Sequence, residues 1–140
     1  MTASASLHRT VPIDGSPAPV RALRAMVASF LRDRAIDEAA TRAVVLAFGE
    51  ALDNAVEHGL LEKRGQVQVK LRYTPRFILV SLQDTGSDKA PLGLAHRASD
   101  DAERGRGFEL MHKLMHHVKV RTFPAGGTRV TLFRRLDEPT

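Results

Sequence analysis

Apolar residues fall into two rhythms along this chain. Residues 7–11 alternate apolar and polar side chains and stop at Pro12, the period of a short strand. Over residues 17–34, Val20, Leu23, Val27, Phe30 and Leu31 recur at helical spacing, which predicts an amphipathic helix. Asp37 then offers an N-cap side chain, and the run after it predicts a second helix ending at Gly59, where glycine can take the left-handed conformation. Period two returns at Val67, Val69, Leu71 and Tyr73 and, after Thr74-Pro75-Arg76, over residues 77–82, giving a hairpin. Residues 85–104 hold no sustained periodicity beyond a possible helical turn at 91–98, and a loop of that length in a compact domain is usually a lid or a binding loop. A third helix over residues 107–117 follows, then strands over 119–123 and 128–134 joined through Pro124-Ala125-Gly126-Gly127.

The order strand, helix, helix, strand, strand, long loop, helix, strand, strand predicts an α+β fold. It is a two-layer sandwich of a mixed, mainly antiparallel sheet with helices on one face, unlike the alternating pattern of a doubly wound fold. The chain reads as one domain over residues 1–140, with flexible ends at 1–6 and 137–140.

Composition narrows the chemistry. At 43% hydrophobic and 26% charged, the sequence is that of a globular protein rather than a disordered one. No apolar run reaches the roughly 18 residues that span a bilayer, and the first residues lack the features of a signal peptide, so a cytoplasmic location is expected. With no cysteine, disulfides, thiolate metal sites and cysteine nucleophiles are excluded. The net charge of +5 and pI near 10.2 raise the question of nucleic acid. The basic residues are scattered in the sequence, however, with no recognition helix or stacking pattern. Direct nucleic-acid binding is therefore not expected, and the charge reads as an arginine-rich surface with some of it available to a nucleotide or an acidic partner.

One stripe stands out within the second helix. Glu50, Asn54 and His58 are spaced by four and share a face in a segment otherwise rich in Ala, Val, Leu and Phe. A carboxylate to handle a proton and an amide oxygen to hold a hard cation make a minimal kit for phosphoryl transfer from Mg-ATP. Asp84-Thr85-Gly86 ends a predicted strand, where a carboxylate can accept a hydrogen bond from the adenine amine and Gly86 lets backbone approach the ring. Gly105-Arg106-Gly107 precedes the third predicted helix, so free amides and the helix dipole can face an anion, with Arg104 and Arg106 adding charge. Gly127-Thr128 opens the last strand and offers a hydroxyl. Each piece alone has an ordinary structural reading as a solvated helix face, a turn or a loop end.

Taken in order, Glu50-x-x-x-Asn54, Asp84-x-Gly86, Gly105-x-Gly107 and Gly127-Thr128 resemble the motifs of the GHKL ATPase superfamily with its Bergerat nucleotide-binding fold. The stretches 50–59 and 103–111 are especially similar to the small serine/threonine kinases that act as anti-sigma factors. The resemblance implies Glu50 as general base, Asn54 as ligand to Mg2+, and Asp84 as adenine anchor with Gly86 close-packed beside it. It further implies Gly105, Arg106 and Gly107 at the phosphates, residues 87–104 as an ATP lid, and Thr128 on the adenine side. Such a kinase holds a sigma factor inactive and phosphorylates a serine on a small antagonist protein. A homodimer is implied as well.

The residues themselves leave open whether the γ-phosphate goes to water or to a serine, and whether the domain turns over at all or is a nucleotide-gated binding module. His58 has two readings, a phosphate contact or a cap at the helix end. Asp53 and Glu57 point away from the Glu50 stripe and read as surface charges. His112, His116 and His117 fall on the third predicted helix without further ligands nearby and read as surface or interface residues, while Met111, Leu114 and Met115 read as core.

Overall fold

The computed structural model describes residues 4–13, 16–62, 65–84, 101–124 and 127–136, with backbone alone for Ile13 and for helical residues 56–62 and 101–106. Five strands and three helices follow one another as β1 (Ala5–Ile13), α1 (Ala18–Asp33), α2 (Glu38–Glu62), β2 (Gly65–Thr74), β3 (Phe77–Asp84), α3 (Asp101–Leu114), β4 (His117–Thr122) and β5 (Thr128–Arg135). The strands form one sheet in the order β1-β2-β3-β5-β4, and all four described pairings are antiparallel. The helices cover one side of it, which is the two-layer α+β arrangement expected from the hydrophobic pattern.

The core lies between these layers. Val67, Val69, Leu71 and Tyr73 of β2, Ile78, Val80 and Leu82 of β3, and Val130 and Leu132 of β5 are buried beneath Phe48, Leu52, Val27, Leu31 and Met111. Their alternate neighbours on each strand stand on the other side, as period two requires. Met111 and Met115 are core residues, as expected. Helix α2 is central, with α1 and α3 on either side and the sheet below. Its buried residues Ala40, Ala43, Val44, Ala47, Phe48, Ala51 and Leu52 accordingly take up a wide stripe of the helix.

Local signals set most element boundaries. The Asp37 carboxylate accepts a hydrogen bond from the Ala40 amide at 3.3 Å, the N-cap expected of it. Thr74 Oγ1 accepts from the amides of Arg76 and Phe77, both at 3.1 Å, and closes the β2–β3 turn. Helix α1 ends with Ala35 at φ 56°, a left-handed position held by its amide bonding to the Arg32 carbonyl.

Three boundaries differ from expectation. Strand β1 runs through Pro12 to Ile13, because Pro12 stands on an edge strand where a missing amide donor is tolerated. Helix α2 passes Gly59 and continues to Glu62. Leu60, Leu61 and Glu62 favour helix, and one interior glycine costs only about 1 kcal/mol relative to alanine. Helix α3 begins six residues early, at Asp101, and stops at Leu114. His116 and His117 therefore leave the helix: His116 Nδ1 accepts the Arg135 amide at 2.9 Å, and His117 opens β4 with its ring 5.6 Å from that of Phe133. No helix among the described residues is long and apolar enough to cross a membrane.

Candidate functional site

Helix α2 carries Glu50 and Asn54 one turn apart, on a backbone held by its buried neighbours Phe48, Ala51 and Leu52. A clamp from α1 fixes the same turn. Arg24 Nη2 donates to Asp53 Oδ1 at 2.6 Å and approaches the Gly49 carbonyl at 3.4 Å, so the clamp grips the residues that immediately precede Glu50 and Asn54. Asp53 is thus the partner of Arg24 rather than a lone surface charge. Both side chains remain about half exposed, 41% and 53%, so the pair itself adds no more than about 1 kcal/mol. The sequence carried a signal for Arg24, since it is spaced by four and seven from the buried Ala28 and Leu31 and so borders the buried stripe of α1.

Helix α3 closes on the other side of α2. A Cβ added at Gly107 would lie 3.0 Å from Glu50 Oε1, tighter than such contacts normally are, so glycine here lets the carboxylate reach the α3 backbone. The structure therefore brings Glu50 and Gly107 together. Gly105 and Arg106 sit inside α3 rather than ahead of it, because the acidic, helix-favouring segment from Asp101 to Arg104 extends the helix upstream. Their amides fall beyond the free first turn, so helix replaces the loop before a helix that was expected at this point. Gly86 and residues 87–100 lie outside the described residues, as do the side chains of His58 and Arg106.

Asn54 is half-buried, and its Nδ2 is fully buried without a hydrogen-bond partner among the described residues. An orphaned buried amide is costly, about 1–3 kcal/mol, so such a group is a candidate for ligand contact. Nitrogen and oxygen exchange places on rotating the carboxamide, which lets this end present its oxygen to a cation. Among the described residues no group of three or more His, Asp or Glu gathers into a metal cage. A cation here would need most of its ligands from water and phosphate, the habit of Mg2+.

At the sheet, Asp84 closes β3 directly opposite Thr128, the first residue of β5, and opposite Val67 on β2. It shares the helix side with Leu82 and Val130. Asp84 is also the only acidic residue in all five strands. The structure thus pairs Asp84 with Thr128 and Glu50 with Gly107, both on the helix side, and α2 packs over β3 and β5. A cavity of about 280 Å³ among Ile36, Tyr73, Pro75, Arg134 and Leu136 lies at the opposite end of β3 and is separate from these groups.

Comparison with known proteins agrees with this geometry. Residues 13–134 match the histidine kinase-like ATPase domain family. Similar curated proteins include the anti-sigma F factor of Clostridium acetobutylicum, 28% identical over 66% of this chain and 68% of that one. The anti-sigma F factor of Pasteuria penetrans is 31% identical over 72% of this chain and 64% of its own length. Among solved structures, a Mycobacterium tuberculosis chain made of RsbU and RsbW domains superposes with a TM-score of 0.63 at 25% identity, covering 97% of this chain and 34% of that longer one. With a match over nearly its whole length, the same α+β layers and Glu50, Asn54, Asp84 and Thr128 all on the helix side, the chain belongs to the histidine kinase-like ATPase domain family of the GHKL superfamily.

Proposed function

We propose that this protein is an ATP-dependent serine/threonine protein kinase acting as an anti-sigma factor. In this reading it phosphorylates a serine on a small antagonist protein and sequesters a sigma factor, as a cytoplasmic homodimer. The observation that carries the catalytic half is the pairing on α2: a carboxylate, Glu50, one turn before a buried, unpartnered carboxamide, Asn54. The partner half rests on the likeness to two anti-sigma F factors.

Asn54 would hold Mg2+, which supplies charge neutralisation at the transferring phosphoryl group. Asp84 would accept a hydrogen bond from the exocyclic amine of adenine, with Thr128 beside it and Gly86 allowing close packing. Glu50 takes the proton of the substrate hydroxyl as its oxygen forms the new bond to the γ-phosphorus and the bridging oxygen leaves with ADP. Gly107 leaves room for the Glu50 carboxylate at the α3 backbone, and Gly105, Arg106 and Gly107 would border the phosphates.

The test is transfer of labelled γ-phosphate from Mg-ATP to protein in a lysate of the source organism, comparing the chain with Glu50→Gln. One small protein labelled by the native chain, with about 100-fold to 10,000-fold slower labelling by the variant, is expected of a lost general base. ATP binding with no labelled protein would favour a nucleotide-gated binding module instead.

A further inference from the structure

The basic residues that lie scattered in the sequence are gathered by the sheet. On the side turned away from the helices, β2 presents Lys70 and Arg72, β4 presents Lys119 and Arg121, and β5 presents Arg129 and Arg135. None of the strand residues on this side is acidic, since the only acidic residue in the five strands, Asp84, faces the helices. Arg121 and Arg129 are directly opposite each other across β4 and β5. Like charges in that position destabilise a sheet by some tenths of a kcal/mol, and no carboxylate of the five strands offsets them. Gln83 instead orients Arg129, its Oε1 accepting from Nε at 3.2 Å and Nη2 at 3.1 Å.

Aromatic rings are interleaved with these cations. Phe77 and Phe133 have ring centroids 5.4 Å apart, and His117 extends the row. Beyond the end of β4, the guanidinium groups of Arg121 and Arg129 each lie 5.1 Å from the Phe123 centroid. All three phenylalanines are only partly buried. Five strands spaced about 4.8 Å apart, 6 to 10 residues long and about eight on average, give a platform of about 20 by 26 Å, large enough for several stacked bases.

Cations alone would suit any polyanion, but the rings decide among them. An acidic protein surface would match the charge and leave the ring faces unused. A second copy laid face to face would oppose like charges. Bases stack on aromatic faces while their phosphates meet Lys and Arg, and the combination is that of single-strand binding sheets. We infer that the open face of the sheet binds single-stranded nucleic acid, with Lys70, Arg72, Lys119 and Arg121 at phosphates and Phe123 and Phe133 as stacking surfaces. The site is on the opposite side of the sheet from Glu50 and Asp84 and is independent of the kinase reading.

The experiment is fluorescence anisotropy of the full chain with labelled 12-mers of oligo-dT and oligo-U. Binding of either probe supports the inference, and the ratio of the two affinities tells DNA from RNA. Four phosphate contacts predict about a fifty-fold loss of affinity between 50 and 200 mM salt. The double variant Lys119→Glu/Arg121→Glu should weaken binding at least ten-fold while leaving ATP binding unchanged, which also shows that it folds. Phe123→Ala should weaken binding without altering the salt slope. Arg42→Glu, on the exposed outer face of α2, should change it less than two-fold. No anisotropy change at 100 μM protein in 50 mM salt would overturn the inference. So would equal binding of poly-glutamate, an equal effect of Arg42→Glu, or a dimer that the double variant dissociates without any oligonucleotide binding.

Discussion

Leu71 and Arg72 are neighbours on β2 and belong to different environments. Leu71 is 1% exposed beneath the helices, while Arg72 stands on the open side across from Leu79. Strands β3 and β5 repeat the contrast. On the helix side, packing against α1, α2 and α3 selects apolar residues along most of β2 and β3; the charged residues there are Arg9, Arg134 and Asp84, and Asp84 is the one carboxylate and stands at the candidate site. On the open side no helix among the described residues constrains the choice, so its composition is free to follow charge, and the charged residues its strands present are all basic. The contrast teaches that a departure from pattern is informative on a packed face, whereas on an unpacked face the pattern itself is.

Substitutions on the two sides sharpen this. Leu71→Ala removes a buried side chain and should cost about 2–5 kcal/mol in urea unfolding. A loss below about 1 kcal/mol would mean that β2 is not packed as described. Asp84→Asn should weaken ATP binding by about 1.5–3 kcal/mol if one charge-assisted hydrogen bond is lost. Isothermal calorimetry that shows unchanged affinity would remove Asp84 from the adenine site. Arg72→Ala should leave stability within about 0.5 kcal/mol, as surface substitutions do. A larger loss in the same urea assay would show that the open face contributes to the fold after all.

Much of this could be read from the sequence, for reasons visible in particular residues. The alternation through Val67, Val69, Leu71 and Tyr73 and the stripe of Leu23, Val27 and Leu31 are short-range patterns, and they located β2 and α1. Asp37 was legible as a cap because its partner, Ala40, is three residues away. Gly59 misled because a glycine can end a helix or be carried within one, and the residues that decide follow it. The third helix misled at both ends, where acidic residues extended it upstream and sheet pairing drew His117 away downstream. Arg24 with Asp53, Glu50 with Gly107, and the joining of six cations on one face all depend on contacts between distant segments. A one-dimensional reading has no access to those, and for the same reason the basic residues read there as scattered.

The position of β1 bears on how the molecule is made. Its only neighbour in the sheet is β2, which pairs Ala5 with Tyr73 and Ile13 with Gly65. Strand β1 must therefore wait on the ribosome for a partner roughly 60 residues behind it, about 3 to 12 s at ordinary rates of synthesis. The β2–β3 hairpin, closed by a two-residue turn, forms in microseconds once complete. Its formation creates the edge onto which β1 can dock, so β1 joins the sheet only after β2 has been made, and the nascent chain carries it unpaired until then.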